Sequence, residues 1–205
     1  MKKLDRHTTN RYIAMTAMLG ALSFVLQLLE FPLPFLIPSF IQFDFSDLPA
    51  LIASFSMGPL SGIAVALIKN VTHLLITTTG GVGELANFLL TSVFVGVAGV
   101  IYHMKKSRSG AFVGSLTGAL VMSLVSVPLN LFLTYPFYYT FMPKAAILAA
   151  YQAIFPFVSD IYTCLWFFNA PFNLLKGAVI TVITFLIYKY ISPLIKGTPR
   201  RGKKG

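Results

Sequence analysis

Cysteine, acidic residues and catalytic motifs are all scarce in this chain. Cys164 is the only cysteine in 205 residues, which excludes a disulfide framework and a cysteine metal cluster. Asp and Glu together number six, against sixteen Lys and Arg. The phosphate-loop pattern GxxxxGK followed by Ser or Thr is absent, so ATP hydrolysis by that route is excluded, and Gly80-Gly81-Val82-Gly83 reads as a flexible connection. HExxH, GxSxG and paired catalytic carboxylates are also missing, which leaves an enzyme with little support. No internal repeat is visible, and the only biased block is the basic tail from Lys196 to Gly205.

Apolar residues are abundant. They make up 56% of the chain, and the mean hydropathy is +0.78. This composition reads as one all-α integral membrane domain, spans joined by short connections. The expected plan is an arm over 1–11, a membrane domain over 12–191 and a basic tail over 192–205. Six spans are expected, at about 12–29, 41–57, 60–79, 84–102, 111–133 and 161–188. The start resembles a signal peptide, but no small-residue cleavage site follows, so the first run reads as a retained span.

Local signals mark the joints. Pro32, Pro34 and Pro38 favour an extended loop, yet its Phe31, Leu33, Phe35, Leu36, Ile37 and Phe40 are apolar. Such a loop fits a lid over a cavity or a segment dipping into the interface. Asp47 is the expected N-cap of the second span, with Pro49 in its first turn. Gly58-Pro59 reads as a turn, and Glu84 favours a helix start. Gly114 and Gly118 form a small-xxx-small pair, as do Ala17 and Ala21 with Ala14 nearby. Pro128 is expected to bend the fifth span next to Asn130. A short amphipathic helix is expected over 144–154 within the aromatic stretch 135–160.

Charge placement gives orientation. Thirteen of the sixteen basic residues fall in the N-terminal arm, the 103–110 loop and the C-terminal region, all on one side of a six-span plan. Lys69 and Lys176 lie within spans and only Lys144 lies opposite, whereas Glu30, Asp44, Asp47, Glu84 and Asp160 fall on the far side. The positive-inside rule then places both termini in the cytoplasm. It also explains a net charge of +10 without any nucleic acid.

Polar groups within the spans indicate a site. Asn169, Asn173 and Lys176 are spaced i, i+4 and i+7 and share one helix face. A mid-run lysine marks a functional site by default, with snorkelling or helix gluing as the bland alternative. Asn87 and Asn130 fall in the same outer half of the membrane. Amides, one cation and aromatic walls such as Phe168 and Phe172 suit a neutral or weakly polar aromatic ligand. His73, one turn from Lys69, reads as a helix-packing donor before a ligand or proton carrier. No carboxylate is expected near mid-span, as a proton-driven carrier would need. A small binding unit energised by another subunit fits better than an independent transporter or facilitator.

Several stretches then carry a resemblance. They are Ser46-Asp47-Leu48-Pro49, Met57-Gly58-Pro59, Lys69-Asn70-Val71-Thr72-His73, the run from Gly80 to Phe88, and Asn173-Leu174-Leu175-Lys176. Together they resemble the substrate-binding S components of energy-coupling factor (ECF) vitamin transporters, most closely the riboflavin-specific (RibU) type. The resemblance runs from about residue 10 to 190. It implies a six-helix bundle that captures riboflavin from outside the cell, with riboflavin as cargo and no cofactor or metal. It implies ligand contacts at Asn130, Asn173 and Lys176, to which the residue pattern adds Asn87 and Phe172. It also implies that Ala14, Ala17 and Ala21 dock on a transmembrane coupling subunit served by two cytoplasmic ATPases. The loop between the first two spans would gate the pocket. Other vitamins or heterocycles are the alternative ligands.

Overall fold

The computed structural model describes residues 6–140 and 142–196; Lys2, Lys3, Phe141 and the tail beyond 196 lie outside the described residues. The chain forms a helical bundle. Helix α1 (Arg6–Gln27) leads into a two-stranded antiparallel pair, β1 (Phe31–Pro32) and β2 (Gln42–Phe43), with Phe31 opposite Phe43. Helices α2 (Asp47–Met57) and α3 (Pro59–His73) follow, then α4 (Val82–Met104) and α5 (Arg108–Leu129). Short α6 (Tyr135–Tyr138) and α7 (Lys144–Gln152) precede α8 (Ile161–Cys164) and the long α9 (Ala170–Lys196).

Among the described residues, four helical stretches are long and apolar enough to cross a membrane: Pro59–Ile76, Val82–Met104, Arg108–Tyr138 and Ile161–Ile187. The run expected as a second span from residue 41 is helical only over the eleven residues of α2. Two local causes shorten it. Residues before it pair as strands, and the Ser46 N–H donates to Asp44 Oδ1 at 2.7 Å, a turn that competes with helix. Asp47 is therefore not the N-cap. Ser46 holds that position, and Asp47 is the first helical residue with its carboxylate drawn to lysines instead.

Gly58 makes the expected turn. It has φ 109°, a left-handed conformation that favours glycine, and Pro59 starts α3 without needing an N–H partner. The 144–154 expectation is met by α7, and α8 is capped by Asp160, whose Oδ1 accepts from Thr163 N–H at 2.7 Å. That bond holds the Asp160 carboxyl below its usual range.

The core sits where α2, α4, α5 and α9 meet, around Phe55, Phe94, Ala98, Tyr102 and Met122. Gly114 and Gly118 press α5 onto α4. A Cβ on Gly118 would stand 2.5 Å from the Phe94 carbonyl oxygen, and one on Gly114 would stand 2.7 Å from that of Ala98. Gly118→Val is expected to separate these backbones at a cost of about 1–3 kcal/mol. A lowered thermal-unfolding midpoint in detergent would show it; an unchanged midpoint would contradict the close approach.

Two π turns interrupt the bundle, at Asn130–Thr134 and Leu165–Asn169. Each is followed, two residues after its end, by a proline, Pro136 and Pro171. Proline lacks an N–H and its ring crowds the carbonyl four residues back, and a local widening accommodates both problems. The bend expected at Pro128 is thus displaced: α5 runs through Pro128, and the departure begins at Asn130.

Candidate binding site: an amide- and charge-lined cavity

A cavity of about 170 Å³ opens at the end of the bundle away from the 105–107 turn. The C-terminal ends of α1, α3 and α5 and the N-terminal parts of α2, α4 and α9 converge on it. All five ligand-contact residues expected from the sequence line it: Asn87, Asn130, Phe172, Asn173 and Lys176. Asn169 joins them, so the i, i+4, i+7 face of the last long run does point into one space. The two π turns place Asn130 at the start of one and Asn169 at the end of the other.

The amides are held in fixed orientations. Asn130 donates one N–H to the Ser126 carbonyl at 2.8 Å, and Asn173 does the same to the Asn169 carbonyl at 2.8 Å. Tyr151 O–H donates to Asn169 Oδ1 at 2.8 Å, and Tyr151 and Tyr135 share a hydroxyl–hydroxyl bond. Asn87 Oδ1 lies 3.0 Å from Thr91 Oγ1. Phe172 is buried edge-on to Phe43 of β2, with ring centroids 6.2 Å apart, which joins α9 to the strand pair.

Charge is the feature that sequence reasoning misread. Asp44 and Asp47, expected at the outer face, are both buried. Lys176 Nζ donates to Asp44 Oδ2 at 2.9 Å and lies 3.4 Å from Asp47 Oδ2. Lys69, 0% exposed, donates to Asp47 Oδ1 and to Ser46 Oγ, both at 2.6 Å. Thr91 O–H donates to the same Asp47 oxygen at 2.7 Å. Two carboxylates and two ammonium groups thus neutralise one another in a closed network, which is how buried charges are tolerated. Lys176 both lines the cavity and ties α9 to the segment ahead of α2, so the gluing alternative also describes its contacts. The missed signal was charge balance: two lysines inside spans require counter-ions, and only six acids exist to supply them.

A second polar cluster closes another wall. His73 Nδ1 lies 2.9 Å from Glu84 Oε1. Thr77 and Thr79 hydroxyls donate to Glu84 Oε2 at 2.9 and 3.0 Å. His73 therefore pairs with an acid at the cavity instead of acting only as packing. Glu30, in the loop after α1, also lines the cavity, and burial raises its carboxyl above the usual value. Three or more His, Cys, Asp and Glu side chains that could hold a metal ion do not come together among the described residues.

Comparison with known proteins decides the family. The model of the ECF transporter substrate-specific component matches residues 11–188. The chain belongs to this family of S components. The riboflavin transporter RibU of Staphylococcus aureus (strain TCH60) is 36% identical over 195 residues, covering 95% of this chain and 97% of the relative. The riboflavin transporter FmnP of Bacillus subtilis (strain 168) is 35% identical over 187 residues, covering 90% and 93%. A solved S component of a bacterial ECF transporter superposes with a TM-score of 0.72 at 34% identity, covering 92% of this chain and 99% of that one. As an S component the chain is a transport subunit and not an enzyme.

In this S component, Ala14, Ala17 and Ala21 of α1 are exposed. The small-residue face of α1 is therefore unused by the rest of the bundle.

Proposed function

We propose that this S component captures riboflavin in the cavity at the end of the bundle. One observation carries the reading: amides from α4, the two π turns and α9 converge with Lys176 on a single aromatic-walled space. Riboflavin presents a flat heterocycle with alternating donors and acceptors, which amides recognise in pairs. Asn130 and Asn173 each keep a second N–H and a carbonyl oxygen for it, and Lys176 donates to a ring carbonyl. Phe172, Tyr135 and Tyr138 provide ring surface. The relatives named as riboflavin transporters support the same ligand.

In the membrane, α1 and α2 complete a six-helix bundle with the four long stretches. The charge asymmetry supports an orientation with both termini in the cytoplasm and the cavity facing outward, and the bacterial relatives support a prokaryotic cell membrane. The segment 28–46 covers the cavity as a gate, and the exposed face of Ala14, Ala17 and Ala21 docks on a transmembrane coupling subunit powered by two ATPases. Reconstituted vesicles test the assignment. Labelled riboflavin is expected to accumulate only when the coupling subunit, the ATPases and internal or external ATP on the nucleotide-binding side are all supplied. Uptake by this chain alone would contradict it and mark an autonomous facilitator.

A further inference from the structure

The first π turn serves two cavities. Asn130 lines the binding cavity described above, and Leu131 lines a second one of about 600 Å³, within the range of about 300–1,000 Å³ usual for small-molecule sites. Lys144 and Leu148 of α7 reach the second cavity, as do Asp160, Ile161 and Tyr162 at the start of α8. It therefore lies where two stretches able to cross a membrane, Arg108–Tyr138 and Ile161–Ile187, come to the same end of the bundle.

This groove combines an apolar bed with one charge of each sign. Leu131, Leu148 and Ile161 supply the bed. Neither charge is matched within the protein. Lys144 makes no ion pair among the described residues; its Nζ stands 5.3 Å from the centroid of the Tyr139 ring, a cation–π contact that leaves its N–H groups free to donate. Asp160 makes no ion pair among the described residues either, and its carboxylate accepts only from the neutral donors of Ser159 and Thr163. The two charges line one cavity without pairing with each other. The surroundings suit the boundary between hydrocarbon and headgroups. Phe132, next to Leu131, is 77% exposed, and the exposed rings of Tyr162 and Trp166 lie one turn apart with centroids at 6.4 Å. Tyrosine and tryptophan gather at that boundary.

We propose that this groove binds a zwitterionic aminophospholipid, with the phosphodiester on Lys144, the primary ammonium on Asp160 and an acyl chain along Leu131, Leu148 and Ile161. Charge complementarity selects this occupant. A lipid with an anionic headgroup and no ammonium satisfies Lys144 but faces the Asp160 carboxylate. A quaternary ammonium satisfies the charge of Asp160 but has no N–H to donate to it. The leaflet is the outer one in the orientation proposed above; the site itself does not depend on that orientation or on the transported ligand.

Trp166 is the only tryptophan in the chain and stands against Tyr162, so its fluorescence reports on the groove. The test places the full chain in phosphatidylcholine nanodiscs in which a minor fraction of the lipid carries brominated, quenching acyl chains. Brominated phosphatidylethanolamine is expected to quench Trp166 beyond its mole fraction, with an affinity about tenfold above that of phosphatidylcholine, the scale of one charge-assisted hydrogen bond. Brominated phosphatidylglycerol should quench less. Lys144→Ala should return phosphatidylethanolamine to its mole fraction. Asp160→Asn keeps a good helix cap while removing the charge, and it should equalise phosphatidylethanolamine and phosphatidylglycerol. Quenching in proportion to mole fraction for every headgroup would overturn the proposal. So would enrichment of phosphatidylglycerol equal to or above that of phosphatidylethanolamine in the unsubstituted protein, or an enrichment that neither substitution moves. Nanodiscs present lipid to both ends of the bundle, so a reversed orientation leaves the outcome unchanged, as does failure of the riboflavin reading.

Discussion

Lys176→Ala is expected to weaken riboflavin binding by about 100-fold or more, the scale of a lost charge-assisted hydrogen bond in a site shielded from water. Its ammonium is the cation that lines the cavity, and it sits on α9 one turn from Asn173. The same substitution strips Asp44 of its lysine and Asp47 of one of two. A buried carboxylate left without its partner costs about 3–5 kcal/mol, so the variant should also unfold earlier. The two effects separate in a double substitution. Lys176→Met with Asp44→Asn removes one charge of each sign, and it should recover much of the thermal stability without recovering affinity. Recovery of both by the double variant would mean that Lys176 acts only as structural glue.

The second large effect is expected at Asp47. Asp47→Ala leaves Lys69 fully buried with Ser46 Oγ as its remaining polar contact, and it frees Lys176 from one of its two carboxylates. An unpaired buried ammonium costs about 3–5 kcal/mol, so a fall of many degrees in the unfolding midpoint is expected. Thr91 also loses its acceptor on Asp47. Asp47→Asn with Lys69→Met, neutral on both sides, should lie much nearer the unsubstituted protein, since a buried pair is worth less than the penalty of breaking it. A midpoint unchanged in Asp47→Ala would contradict the network drawn here.

These two residues also show what was legible in the sequence. Lys176 stood out because a single lysine within a spanning run is costly in an apolar environment, and its face carried Asn169 and Asn173 at helical spacing. Such local periodicity survives folding, and all three reach the cavity. Asp44 and Asp47 did not stand out. They lie near the start of an apolar run, where an acid is ordinarily solvated or caps a helix, and their partners are 132 and 22 residues away in the chain. No local pattern reveals pairing across that distance; only a whole-chain count of buried charge does. The glycine pair of α5 was readable because close helix approach needs small residues four apart. The short α2 was not readable, because hydropathy is blind to the strand pair and the Asp44–Ser46 turn that consume residues 42–46. The π turns were hidden for a similar reason. Proline announces a disturbance, but whether it appears as a kink, a break or a widened turn depends on the neighbouring helices.

The most direct measurement is a titration of purified, unliganded protein with riboflavin, followed by quenching of flavin fluorescence. Saturation at one riboflavin per chain, with tight affinity and strong weakening in both Asn173→Ala and Lys176→Ala, is the predicted result. Folded protein that leaves riboflavin fluorescence unchanged would contradict riboflavin capture, and tight binding indifferent to both substitutions would move the vitamin out of this cavity.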